Sequence, residues 1–173
     1  MKYILGVLLI SGLFVGTSAF VNSPNHAAQP EELKWYSNIE EAHAMSLKTN
    51  RPIFGFFTGS DWCGWCHRLQ ATVFNKPTFK EWASKNVILL ELDFPRRKQL
   101  PALQAQQNNE LKNFFGVQGF PTVWIFDMKL DAASKQYQIN AMGSLGYPRS
   151  EEGKEDQAFI ATANQILAQK GQK

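Results

Sequence analysis

Two cysteines, Cys63 and Cys66, are the only ones in the chain, and two residues separate them in the run Trp62-Cys63-Gly64-Trp65-Cys66. Thiols at this spacing can close into a disulfide and reopen, passing electrons to or from another dithiol–disulfide pair. A structural staple is the competing use. Closing so short a loop constrains the unfolded chain very little, so the pair is better suited to reversible exchange. With His67 the run also reads Cys-x-x-Cys-His, the attachment motif for c-type haem. That use needs two thioethers, His67 as an axial ligand and a second ligand such as Met45, Met128 or Met142. A zinc site needs four ligands, and Cys63, Cys66 and His67 supply three at most, with His26 and His43 remote in sequence. No metal site is therefore expected.

The elements around the pair must present it. Ile53 to Thr58 is aromatic and β-branched without polar alternation, the pattern of a strand buried on both faces. Thr58-Gly59-Ser60-Asp61 reads as a turn. A helix is expected from about Cys63 to Phe74, with Leu69 and Val73 one turn apart on its apolar face. Before this unit, Ser37 and Glu40 have capping-box spacing for a helix over 38–49, which Arg51-Pro52 ends. After it come a short helix opened by Pro77 and a second buried strand, Val87 to Asp93. A loop over 94–101 leads to a helix over 103–115 that Gly116 is placed to stop. A third strand spans Thr122 to Phe126, with a turn over 127–134, a return strand over 136–142 and a loop over 143–150. The amphipathic helix over 154–169 lines one face with Phe159, Ile160, Ala163, Ile166 and Leu167. This order predicts an α/β sandwich around a mixed sheet.

A chain of 173 residues with 44% hydrophobic content fits one domain with a substantial core, and its 13 Phe and 5 Trp make that core aromatic. Net charge is +3 with no dense basic tract beyond Arg96-Arg97-Lys98, which argues against nucleic acid as a partner. Lys2, the apolar stretch Tyr3 to Val15 and the small residues Thr17-Ser18-Ala19 read as an export signal over 1–19. The stretch is short for a membrane span, and a retained N-terminal anchor is the alternative. Residues 20–32 read as a lead-in and 33–173 as the folded domain. Export places the cysteines in an oxidising compartment.

Trp62-Cys63-Gly64-Trp65-Cys66 at a helix start, and Gly119-Phe120-Pro121-Thr122 just before the third strand, together resemble the thioredoxin superfamily over roughly residues 33–170. Gly59-Ser60-Asp61-Trp62-Cys63 and Leu92-Asp93-Phe94-Pro95-Arg96 are similar to its exported bacterial members. The resemblance implies a thioredoxin fold, a central mixed β-sheet flanked by helices. It implies a thiol–disulfide oxidoreductase that needs no dissociable cofactor. Protein thiols and disulfides would be its substrates, a membrane or periplasmic redox partner would recycle it, and the bacterial periplasm would be its place. It implies a cis bond before Pro121, beside the dithiol, leaving the Phe120 backbone to pair with an extended substrate. Some exported relatives serve metal-site assembly, so copper handling is the alternative function.

Within that frame Cys63, at the helix start, is expected to be the exposed attacking sulfur, because unpaired N–H groups and the helix dipole favour its thiolate. Cys66, about one turn in, is expected to be buried and to resolve the mixed disulfide. Trp62, Gly64, Trp65, Phe120 and Pro121 are expected to shape the substrate groove, with core packing an equal alternative for Trp62. Asp61 reads first as a turn or helix-start residue and second as a proton-transfer group. His67 reads first as an exposed helix residue and second as a source of positive charge beside the pair. The superfamily usually buries an aspartate beneath the dithiol. The corresponding strand here offers Gly55, Phe56 and Phe57, which leaves the resolving step to water, Asp61 or another group.

Overall fold

The computed structural model describes residues 33–131, 133–134 and 136–169. The expected signal over 1–19 and lead-in over 20–32 lie outside the described residues. A five-stranded mixed sheet forms the centre, in the order β1-β3-β2-β4-β5, with β1 Trp35–Tyr36, β2 Ile53–Thr58, β3 Ile88–Asp93, β4 Thr122–Leu130 and β5 Tyr137–Leu145. β2 runs parallel to β3 and antiparallel to β4, and all six of its residues are buried. That double coverage explains its unbroken apolar sequence.

Among the described residues five α-helices flank the sheet: α1 Ile39–Thr49, α2 Gly64–Leu69, α3 Pro77–Asn86, α4 Ala102–Phe114 and α5 Glu155–Ala168. Side-chain alternation along β2 separates two cores. Phe54 and Phe56 pack with Cys63, Cys66 and Leu69 at α2, with Val73 just after it, and with Phe79 of α3 and Phe159 of α5. Ile53 and Phe57 pack on the other face with Ala42, Leu111 and Phe115 from α1 and α4. The rings on the α2 side meet largely edge to face, as with Phe56 and Phe74 at 5.0 Å, and such pairs add ~0.5–1.5 kcal/mol each beyond burial.

The expected elements are present, with corrections at their edges. Asn38, not Ser37, caps α1; its Oδ1 accepts the N–H groups of Glu40 at 2.8 Å and Glu41 at 3.1 Å. Asn50, at φ 53°, then turns the chain into Arg51-Pro52. The helix after the cysteines is not uniform. α2 continues into a π segment, Gln70–Phe74, where the Asn75 N–H reaches the Gln70 carbonyl at 2.8 Å. Gly116 stops α4 with φ 61°, while Val117 N–H bonds the Lys112 carbonyl. β4 and β5 are each longer than the expected strands: Asp127↔Asn140 and Leu130↔Tyr137 pair where a turn was expected, and Gly143 lies within β5. Asp127 and Lys129 alternate with buried Met128, the one-sided pattern an outer antiparallel hairpin tolerates. β1 was not expected, because two residues show no periodicity; it pairs Trp35 with Leu89 and Tyr36 with Leu90.

Candidate active site

β2 delivers the chain to the site. At its end Gly59 opens a tight turn in which its carbonyl accepts the N–H groups of Trp62 at 3.1 Å and Cys63 at 2.9 Å. Glycine is required there by space, since a Cβ would stand 2.4 Å from Cε2 of the Trp62 indole. Cys63 caps α2, and its carbonyl accepts the N–H groups of Cys66 at 3.0 Å and His67 at 3.1 Å. Cys63 and Cys66 are joined by a disulfide, with S–S 2.05 Å and Cα atoms 5.2 Å apart. The Cys66 N–H also points at Sγ of Cys63, at 3.2 Å. A donor so placed favours negative charge on that sulfur when the bond is open.

Cys63 is 5% exposed and Cys66 fully buried. The expected order of the two sulfurs is present, but Cys63 is not the open surface group anticipated. It belongs to the α2-side core, against which Phe120 and Tyr147 also pack.

Of the expected groove residues, Trp62 and Phe120 meet, with Pro121 following Phe120 in the chain. Phe120 and Pro121 are joined by a cis peptide bond. The Phe120 ring stacks on Phe94 at 5.1 Å and lies 5.9 Å from Trp62. Trp62 combines the two roles weighed for it: its Nε1–H donates to the Phe94 carbonyl at 2.8 Å, yet 37% of the residue is exposed. Trp65 is more open, at 56%, and its ring sits 5.2 Å from that of Tyr147. Gly64 is exposed with nothing near the position a Cβ would take. Gly146, before Tyr147, approaches the Pro121 carbonyl oxygen, which would be 3.8 Å from an added Cβ.

Two acids fasten the turn. Asp61 accepts the Arg96 N–H at 3.0 and 3.1 Å and the Arg97 N–H at 2.6 Å, so it joins the dithiol turn to the loop after β3. The Arg96 N–H first, and then that of Arg97, holds its carboxyl below the ordinary aspartate range. These contacts are all with backbone N–H groups, so the carboxylate braces the turn. Asp93, at the buried end of β3, accepts Ser60 N–H at 2.8 Å and Ser60 Oγ–H at 2.6 Å, and Lys98 Nζ lies 3.1 Å away. His67 is exposed, and its Nε2–H donates to the Ser60 carbonyl at 2.8 Å. A carbonyl only accepts, so that nitrogen carries the proton.

Sequence reasoning assigned no role to Asp93 or Glu91. An acid closing an otherwise apolar strand was the available signal. On β3, Leu89 belongs to the α2-side core and Leu90 to the other, so alternation puts Glu91 on the dithiol side. It pairs in register with Phe56 and lines a cavity of about 280 Å³ with Trp35, Gln70, Phe74 and Lys80. Burial, and then neighbouring Asp93, pushes its carboxyl above the ordinary glutamate range, while Lys98 pulls the other way. The strand beneath the dithiol holds no carboxylate, as read, but its neighbour brings one to the same face. Thr58, the last residue of β2, is fully buried, and its Oγ1 has no hydrogen-bond partner among the described residues. Of the residues weighed as a second haem ligand, Met45 and Met128 pack on the opposite face of the sheet.

A mixed sheet with the cysteine pair at the start of a helix and a cis-proline just before β4 defines a thioredoxin-fold protein. The Thioredoxin-like family profile matches residues 34–128. More than half of the sequence lies in that match, and the chain belongs to the thioredoxin-like family. It is 40% identical to the disulfide bond reductase DsbH of Chlamydia pneumoniae over 104 residues, 60% of each chain. It is 23% identical to the thioredoxin-related protein DsbJ of the same species over 116 residues, 67% of this chain and 32% of that one. The match thus spans about three fifths of the first relative and a third of the second. A solved structure of a DsbH oxidoreductase, 28% identical, superposes with a TM-score of 0.65 over 91% of this chain and 95% of its own.

Proposed function

We propose that the protein is an exported thiol–disulfide oxidoreductase that reduces disulfides in protein substrates. The observation that carries this reading is Cys63 at the head of α2, its sulfur facing the Cys66 N–H and joined to the sulfur of Cys66. In the reduced protein, the Cys63 thiolate attacks one sulfur of a substrate disulfide. A new S–S bond forms, the substrate S–S bond breaks, and the other substrate sulfur leaves as a thiolate that takes a proton. Cys66 then loses its proton and attacks Sγ of Cys63, releasing the second substrate thiol and closing Cys63–Cys66. Two electrons have passed to the substrate, and a dithiol redox partner in the membrane or periplasm returns them. Trp62, Gly64, Trp65, Phe120 and Pro121 frame the approach to the sulfurs, and Cys63 becomes reachable along this rim. The reductive direction follows the C. pneumoniae relative, a disulfide bond reductase.

Export rests on Lys2, the apolar run to Val15 and the small residues through Ala19, and the reading assigns the mature chain to the bacterial periplasm. Among the described residues no helix is long and apolar enough to cross a membrane.

Replacing Cys66 with Ala and isolating the protein from its native host tests the cycle. Mixed disulfides on Cys63 are the expected result. No trapped protein, together with an unaltered cellular thiol balance, sinks it. Titrating the pair against glutathione fixes the direction. A potential below that of the compartment supports reduction, and one well above it supports oxidation.

A further inference from the structure

The rim of the disulfide carries two cation–aromatic clusters. One is built on Trp62, the residue before Cys63: the Arg96 guanidinium lies over the Trp62 ring, 3.7 Å from its centroid, with Phe120 and Phe94 behind. The other is built on Trp65, the residue before Cys66: the Arg68 guanidinium lies 5.4 Å from the Trp65 ring and 5.5 Å from that of Tyr147. Both arginines and both indoles are exposed. Among the described residues neither guanidinium has a carboxylate within ion-pair distance. Two acids around the dithiol turn are already engaged. Asp61 holds the backbone of Arg96 and Arg97, and Asp93 is buried against Ser60 and Lys98. A guanidinium laid on a ring keeps its N–H edge free for an incoming carboxylate. Each ring also holds its arginine in place before a partner arrives, which lowers the ordering cost of binding.

Resting on the oxidoreductase reading, we propose that the Trp62–Arg96 and Trp65–Arg68 clusters form a docking surface for an acidic peptide segment. Its cysteine is seated over the Cys63–Cys66 pair, and Asp or Glu residues on its two sides meet Arg96 and Arg68. The aromatic rings supply apolar area around the sulfurs, and the arginines select sign. Basic segments are repelled by the same two charges.

The test is a set of fluorogenic peptide disulfides of one length, with acidic, neutral or basic residues flanking the cysteine, reduced by the full-length protein. Acidic peptides should show kcat/KM about fivefold above neutral ones, a gap that closes as salt rises from about 20 mM to about 500 mM. Arg68→Gln with Arg96→Gln should abolish the preference while neutral peptides react as before. Arg→Lys at both positions should restore part of it. Equal rates for all three peptides, or a preference that survives the double Gln variant, overturn the docking proposal and leave the oxidoreductase reading standing. Anionic phosphatidylglycerol vesicles captured through the same arginines, with no peptide preference, also overturn it. Failure to reduce any peptide sinks the oxidoreductase reading and the docking proposal with it.

Discussion

Two turns of this molecule are organised around an aspartate, and they are wired differently. Asp61, at the dithiol end of the sheet, takes its hydrogen bonds from Arg96 and Arg97, some 35 positions away. Asp131, at the tip of the β4–β5 hairpin, takes them from Ala133 and Ser134, two and three positions on. Both carboxyls are held below the ordinary range, chiefly by the N–H of Arg96 for the first and of Ser134 for the second. Similar electrostatics therefore serve different ends. The hairpin aspartate shapes its own turn. Asp61 ties together two loops that carry Trp62, Cys63 and Phe94, so the shape of the rim depends on contacts that no short stretch of chain contains.

The sharpest way to break this contrast is at Gly59. Gly59→Ala puts a methyl group into the Trp62 indole and should cost about 1–3 kcal/mol on thermal unfolding, with a shift in tryptophan emission. Gly64→Ala, in open space five residues on, should stay within about 0.5 kcal/mol. Equal costs would show that the turn is not set by the indole. Next in size, Asp61→Ala should speed hydrogen exchange at Arg96 and Arg97 and slow substrate reduction, whereas Asp131→Ala should affect only Ala133 and Ser134. Spread of the Asp131 effect to the dithiol turn would erase the distinction.

Acid sharpens the same comparison. A carboxyl with a lowered folded pKa gives stability that is present above the unfolded value of 3.8 and is lost as pH falls through the folded one. Protection at Arg96 and Arg97 should thus hold from pH 8 to about 5 and disappear only below the ordinary carboxylate range. Glu91 has the opposite sign and the smallest effect. Its raised pKa favours the folded state at pH below the ordinary value of 4.5, and that contribution is lost as pH rises through the folded pKa. Glu91→Gln should raise the unfolding temperature at pH 8 and leave it nearly unchanged near pH 4. A larger gain at the acid end would reverse the assignment.

What could be read from the sequence follows the same division between local and distant. β2, the dithiol helix, Gly116 as a stop and the apolar face of α5 rest on short-range pattern, and each lies where the pattern placed it. Pro121 was legible through its resemblance to a known motif. The π segment, the two-residue β1 and the full length of the hairpin were not, because none has a periodicity of its own. Within the site, the cysteines and their aromatic neighbours were visible. The bonds between Asp61 and Arg96 and between Asp93 and Ser60 were not, since each depends on how β2 and β3 lie side by side, and the bond from His67 to Ser60 was not, since it depends on how the turn folds back on the helix. Phe120 and Tyr147, which pack against the core cluster that holds Cys63, also come from distant segments.

Phe74 closes the π segment and meets five other rings: Trp35, Phe54, Phe56, Phe79 and Phe159. These come from β1, β2, α3 and α5, so the rear of the dithiol helix is gripped from several sides. The helix is thus held at both ends, by these rings behind and by the fastened turn in front. A rod clamped in this way cannot swing its sulfur outward to meet a target. On the proposed oxidoreductase cycle the partner must travel the remaining distance and arrive already lined up for in-line attack, so that accurate seating on the rim, rather than mobility of the helix, would govern how fast the bond is exchanged.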